Sequence, residues 1–147
     1  MNNQEAITAL AEYTGISALS LDREDECSIE IDDRLIVSFT GGPNESVMQA
    51  TAVLMAAGLF EDSLDALLGL NFAGATPHGG WFAIDQNSGN IVLRARSDFA
   101  HLETSEVEAF FESFAKAALH WMDQLPSLRK VEGDTLKDLH DETFIRI

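Results

Sequence analysis

The sequence predicts an α+β domain in the order α-β-β-β-α-β-β-α, a twisted antiparallel sheet packed with helices. Three observations carry this. Cys27, Ile29 and Ile31, and then Leu35, Val37 and Phe39, alternate with more polar residues at the two-residue period of half-buried strands. Residues 81–85 and 91–97 read as strands on either side of the polar turn Gln86-Asn87-Ser88-Gly89-Asn90. Val107, Phe110, Phe111, Phe114, Ala118, Trp121, Met122 and Leu125 then keep one helical stripe for about five turns.

The first helix is expected over 3–13, from the spacing of Ala6, Ile7, Leu10 and Ala11 and the stop at Gly15. Asp32-Asp33 turns the first strand into the second, and Gly41-Gly42-Pro43-Asn44 breaks the chain again. Residues 46–55 alternate well enough for a strand, although their Ala and Met content also permits a helix. A strand is the expectation, because the preceding pair starts a meander, and Gly58 ends it. Phe60, Leu64, Leu67, Leu68 and Leu70 mark a second helix, with Glu61, Asp62 and Asp65 near its positive N-terminal end. Ser105-x-x-Glu108 has capping-box spacing at the start of the last helix, and Pro126 is expected to end it. The domain thus spans 1–125, followed by a charged, flexible tail over 126–147, whose end Phe144-Ile145-Arg146-Ile147 is apolar enough to adhere to another surface.

Charge narrows the partners. The chain has 25 acidic and 9 basic residues, a net charge of −16, and nearly all of the imbalance lies before Pro126. Such a field repels phosphate backbones and anionic lipid, so neither nucleic acid nor a membrane surface is an expected partner. It suits a basic partner, and it is explained equally by a well-solvated surface. Cys27 is alone, which excludes an intrachain disulfide and a thiolate metal cluster. A small buried thiol fits it better than a nucleophile. The first residues lack the basic and apolar regions of a signal peptide, and no apolar run approaches the ~20 residues that span a bilayer. A soluble cytoplasmic protein is expected.

Catalytic motifs fail on their particulars. Gly69-x4-Gly74 is followed by Ala75-Thr76, without the lysine that a phosphate loop needs. Asp85 opens a calcium-loop-like run, but position six is Asn90 and position twelve is Arg96. His78, His101, His120 and His140 show no metal-ligand spacing. The acidic run from Asp22 to Asp33 scatters its carboxylates over both faces of a strand. No enzyme activity, metal or cofactor is expected; a ligand-binding alternative would need a deep pocket around His78 and Asp85.

Ile29-Glu30-Ile31-Asp32-Asp33 leading into the 35–39 strand, Leu70-Asn71, Gly79-Gly80, and Ile91-Val92-Leu93 before the Phe-rich helix form an order that resembles the class I chaperones of type III secretion, the Tir chaperone-like family. The resemblance covers roughly residues 6–125. It implies a cytoplasmic bacterial homodimer that binds the N-terminal segment of a secreted effector in extended form. It also implies export competence for the effector, delivery to the secretion ATPase, a part in virulence, and no cofactor. A regulatory adaptor of the same fold, binding another protein of the secretion system, is the alternative. On this reading the effector-binding residues are Ile7, Leu10, Ile29, Ile31, Leu35, Val37 and Phe39, although ordinary core is the simpler account of any one of them taken singly. Leu67, Trp81 and Ile91 are the candidates for the dimer interface.

Overall fold

A computed structural model describes residues 1–56 and 64–143, with side chains described through Leu128. The predicted order is present: α1 (Asn3–Thr14), β1 (Glu26–Ile31), β2 (Leu35–Thr40), β3 (Val47–Ala56), α2 (Leu64–Ala73), β4 (Trp81–Asp85), β5 (Asn90–Asp98) and α3 (Thr104–Thr143). A short 3-10 turn at Pro77–Gly79 precedes β4. Gly58, the expected end of β3, and Phe60, Glu61 and Asp62, the expected start of α2, lie outside the described residues, as do the last four residues.

α1 begins in a reciprocal capping box. Asn2 Oδ1 accepts from the Glu5 N–H at 2.9 Å, and the Glu5 carboxylate accepts from the Asn2 N–H at 2.8 Å. One residue on, Asn3 is fully buried and donates through Nδ2 to the carbonyls of Gly42 and Val47, both at 2.9 Å. Those carbonyls belong to the β2–β3 connection, so one carboxamide fastens the start of α1 to the sheet. Gly41 makes the approach possible. A Cβ there would stand 2.5 Å from Asn3 Nδ2 and 2.7 Å from the Val47 carbonyl oxygen.

The five strands form one antiparallel sheet in the order β1-β2-β3-β5-β4. The β1–β2 connection is the three residues Asp32, Asp33 and Arg34; Asp32 and Asp33 both take positive φ, 53° and 55°, and the Arg34 N–H closes the turn on the Ile31 carbonyl. β3 is the central strand, paired with β2 on one side and β5 on the other, and its register slips between Val53 and Met55. The slip adds a bulge and local twist.

One face of the sheet carries the core. Cys27, Ile29, Leu35, Val37, Phe39, Met48, Ala50, Ala52, Ile91, Leu93 and Ala95 are buried there with Ile7 and Leu10 of α1 and the apolar stripe of α3. Its centre is aromatic: Phe39 meets Phe111 edge-on with centroids 4.8 Å apart, and Phe99 meets Phe110 edge-on at 5.6 Å. Phe82 of β4 meets Trp121 in the same way at 5.3 Å.

α3 opens at Thr104 and departs from expectation in its capping contact and at its far end. The contact that caps it is made by Glu106, whose carboxylate accepts from the Glu103 N–H at 2.8 Å, while Ser105 and Glu108 lie inside the helix. At the other end α3 runs through Pro126 to Thr143. A proline inside a helix removes one hydrogen bond and costs about 3 kcal/mol. Here its flanks are held on the core side, since Leu125 is fully buried and Leu128 is packed against the core cluster, while Pro126 faces solvent.

Phe114, 1% exposed and stacked on Phe110, should be the most sensitive of these positions. Phe114→Ala is expected to lower unfolding free energy by about 3–5 kcal/mol in urea denaturation.

Candidate functional site

The seven residues expected to receive a guest do come together, on the inner sides of α1, β1 and β2. Ile7, Leu10, Ile29, Leu35, Val37 and Phe39 are each 7% exposed or less, and Ile31 is half-buried. Within this single chain their side chains are therefore packed as core. What β1 and β2 offer outward is backbone and the alternate side chains: Ser28 and Glu30 on β1, and Ile36, 51% exposed, on β2.

The two edges of the sheet are in different states. On β1, the Glu26 N–H donates to Asp22 Oδ1 at 3.0 Å, and the Glu26 carbonyl accepts from the Asp22 N–H at 2.9 Å. Glu26 thus points its backbone away from β2. Alternation in an antiparallel ladder turns the backbone groups of Ser28 and Glu30 the same way. Among the described residues nothing pairs with them, because β1 has β2 as its sole strand neighbour.

The β4 edge is stopped. Asn71, at the end of α2, donates through Nδ2 to the Phe82 carbonyl at 2.9 Å and accepts at Oδ1 from the Phe82 N–H at 2.6 Å. One carboxamide satisfies both backbone groups of Phe82 as a neighbouring strand would. This is the physical content of the Leu70-Asn71 pair singled out in the sequence.

α2 also carries an unpartnered apolar face. Leu67 is 5% exposed and joins the core, whereas Leu68 is 67% exposed and Phe72, four residues on and so on the same helical face, is 95% exposed. Of the residues expected at a dimer interface, Ile91 is fully buried and Trp81 half-buried. In the sequence Leu68 served only to mark the helix and Phe72 was not singled out, although a helix apolar on every side is the signal that finds an outward-facing pair.

His78 and Asp85 do not come together: Asp85 lines a groove on the sheet of which His78 is not part. His78 is exposed, with Nε2 2.6 Å from Ser113 Oγ and its ring edge-on to Phe110. Asp85 instead is the last residue of β4, where its carboxylate accepts from the Asn87 N–H of the following turn. That bond and the Ser88 hydroxyl hold its carboxyl below the usual carboxylate range. Among the described residues no three His, Cys, Asp or Glu side chains gather as a metal site would require. Burial above all pushes the Cys27 thiol up, and the charges of Asp22 and Glu26 add to it against a backbone hydrogen bond at Ser20. Among the described residues no helix is long and apolar enough to cross a membrane.

The sequence model of the Tir chaperone protein (CesT) family matches residues 5–122, most of the chain. The chain belongs to this family. Its element order and antiparallel sheet are those expected from the resemblance. Solved structures agree on the fold. A chain of the ExsC–ExsE complex superposes with a TM-score of 0.73 at 21% identity, covering 86% of this chain and 98% of that one. A chain of the HopA1–SchA chaperone–effector complex gives 0.65 at 13% identity, with 84% and 91% covered. The Yersinia pestis type III secretion chaperone SycH, in complex with a fragment of YscM2, provides a match of 0.60 at 13% identity, with 80% and 97% covered. No curated protein sequence matches the chain.

Two measurements follow from the burial of the CesT-family core. Leu35→Ala should cost about 2–5 kcal/mol, read as a drop in melting temperature, because Leu35 is fully buried within its own chain. The Cys27 thiol, with its pKa raised, should react with a disulfide reagent more slowly than a free cysteine at pH 8, and at the free rate once the protein is unfolded.

Proposed function

We propose that this protein is a cytoplasmic export chaperone which holds the N-terminal segment of a type III secretion effector in extended form. The observation that carries the reading is the open β1 edge at Ser28 and Glu30, in a chain of a chaperone family whose other sheet edge is stopped by Asn71. An extended segment can add there as a sixth strand, exchanging main-chain hydrogen bonds for affinity. The inner cluster of Ile7, Leu10, Ile29, Leu35, Val37 and Phe39 then holds that edge rigid from within, and half-buried Ile31 at its rim is the member placed to meet a guest side chain. Holding a guest in this way involves no turnover, so the function needs neither cofactor nor catalytic residue.

The protein works as a homodimer on this reading. Leu68 and Phe72 form the contact, and Leu67 of α2, Trp81 of β4 and Ile91 of β5 build the platform that presents it. An aromatic ring 95% exposed on a helix beside an exposed leucine is the kind of surface that a second copy covers. Delivery of the loaded dimer to the secretion ATPase completes the role.

Co-purification of the tagged protein from its native bacterium, with mass spectrometry and light scattering, tests the reading. The expected complex contains two copies of the 16.1 kDa chain and one larger secreted protein bound through its N-terminal region. A chain that brings down no secreted client removes the proposal. Capture of a regulator instead would make the protein an adaptor of the same fold. Ser28→Pro sharpens the test, since proline deletes one outward N–H that the fold itself does not use and is tolerated on an edge strand. It should reduce client recovery at least about tenfold with little change in melting temperature. Phe72→Glu should leave a monomer in light scattering.

A further inference from the structure

The face of the sheet that faces away from the helices contains a groove that the strand-addition site does not use. It has a volume of about 480 Å³ and runs from Glu26 on β1, past Ser38, Thr40 and Thr51, to Asp85 at the end of β4 and Gln86 just after it. Four strand spacings of about 4.8 Å make this crossing roughly 19 Å. Its floor is apolar where Val53, Val92 and Ala83 lie side by side in register, and Val92 is 3% exposed although it points away from the main core. Hydroxyls line one side.

Arg94 lies within this groove, two residues along β5 from Val92 and directly across from Thr51 and Trp81. Arg96 follows on the same face, across from Gln49. Like charges two residues apart on one strand face repel each other, and in a chain of net charge −16 carboxylates abound to neutralise them. Among the described residues neither arginine has one. Among the described residues the ion pairs are Arg34–Asp123 and Lys116–Glu112, while the Arg94 side chain bonds the Thr51 hydroxyl through Nε at 3.2 Å. A bond at Nε leaves the outer fork of the guanidinium, which suits a carboxylate in bidentate geometry. The two carboxylates that line the groove are at its ends: Glu26 is three strands away, and Asp85 is bound up in its own turn with Arg94 the weakest of the influences on it.

We propose that this groove reads one acidic side chain of a bound polypeptide, with Arg94 as the residue that determines specificity and Arg96 reinforcing it. The guest segment places an apolar side chain on Val53, Val92 and Ala83 and an Asp or Glu on Arg94. The two recognition points stand about 7 Å apart, two residues along a strand, which an extended guest spans with i and i+2 and a helical guest with i and i+4. Basic residues at the guest's ends meet Glu26 and Asp85. The overall negative field draws a basic segment in, and Arg94 selects among basic segments the one carrying a carboxylate at its centre. The proposal rests on the export-chaperone reading for the identity of the guest, and on the groove alone for its chemistry.

The test is a double-mutant cycle with synthetic probes. Two short amphipathic peptides, identical but for a central Glu or Gln and with Lys near both ends, are titrated into the full ¹⁵N-labelled protein and into Arg94→Gln. On the unaltered protein the Glu peptide should bind about tenfold tighter than the Gln peptide, and on Arg94→Gln the two should agree within about twofold. Amide shifts should gather at Thr51, Ala83, Val92 and Arg94. Arg94→Lys, which keeps the charge and loses the fork, should give an intermediate ratio, and it serves if Arg94→Gln does not fold. An unchanged ratio in both variants, shifts confined to the β1 edge, or no binding of either peptide would overturn the proposal. Client pulled down equally by Arg94→Gln and the unaltered protein would also overturn it and leave the chaperone reading standing. Peptide coupling at Arg94 in a protein that captures no client would do the opposite.

Discussion

The carboxamide of Asn3 fixes the arrangement on which the rest of the molecule depends. By holding the carbonyls of Gly42 and Val47, it decides which face of the sheet α1 covers and at what height Ile7 and Leu10 enter the core. Its Oδ1 is buried without a partner, a desolvation cost of roughly 1–3 kcal/mol accepted in exchange for the two bonds at Nδ2. Asn71 does related work at the β4 edge, where its amide stands in for a strand beside Phe82. The sheet is thus bracketed by two asparagines, one locating a helix against its inner face and the other sealing its β4 edge.

Between those brackets the two faces have different chemistry. The inner face is saturated with hydrocarbon and aromatic contacts, so it contributes stability and has nothing left for a guest. The outer face carries hydroxyls, short aliphatic residues and two arginines, a surface that water covers easily and that a peptide can displace water from. Segregation of this kind lets a protein present a long binding surface without exposing enough hydrocarbon to aggregate. The exception is α2, where Leu68 and Phe72 leave apolar surface in the open.

Much of this was legible in the sequence. The strands announced themselves because one face is buried and the other wet, which makes the alternation of Cys27–Ile31 and Leu35–Phe39 clean. β3 was harder for a physical reason: as the central strand it is covered by neighbours on both sides, and small residues such as Ala50 and Ala52 blur the helix–strand distinction. The capping box at Asn2 and Glu5 was not singled out in the sequence, and the Glu103–Glu106 contact competed with a better-looking pair at Ser105 and Glu108. Pro126 misled because the local penalty is real, yet buried Leu125 and half-buried Leu128 on either side outweigh it. The candidate site was read only in part. Periodicity finds the side chains that face inward, such as Leu35 and Val37, and is silent about which backbone groups remain unpaired. That depends on strand order, and strand order is a property of the whole chain.

The plugged β4 edge has a consequence for assembly. A sheet open at both ends can grow without limit, each new strand exposing another template, which is the route to a fibre. With Asn71 closing one end, two copies that met through β1 would make a sheet of finite width with both ends terminated. Even that encounter is discouraged, since Glu26 and Glu30 would bring like charges face to face along the seam. Growth is therefore one-sided and self-limiting, and an uncharged or basic strand is the addition it tolerates best.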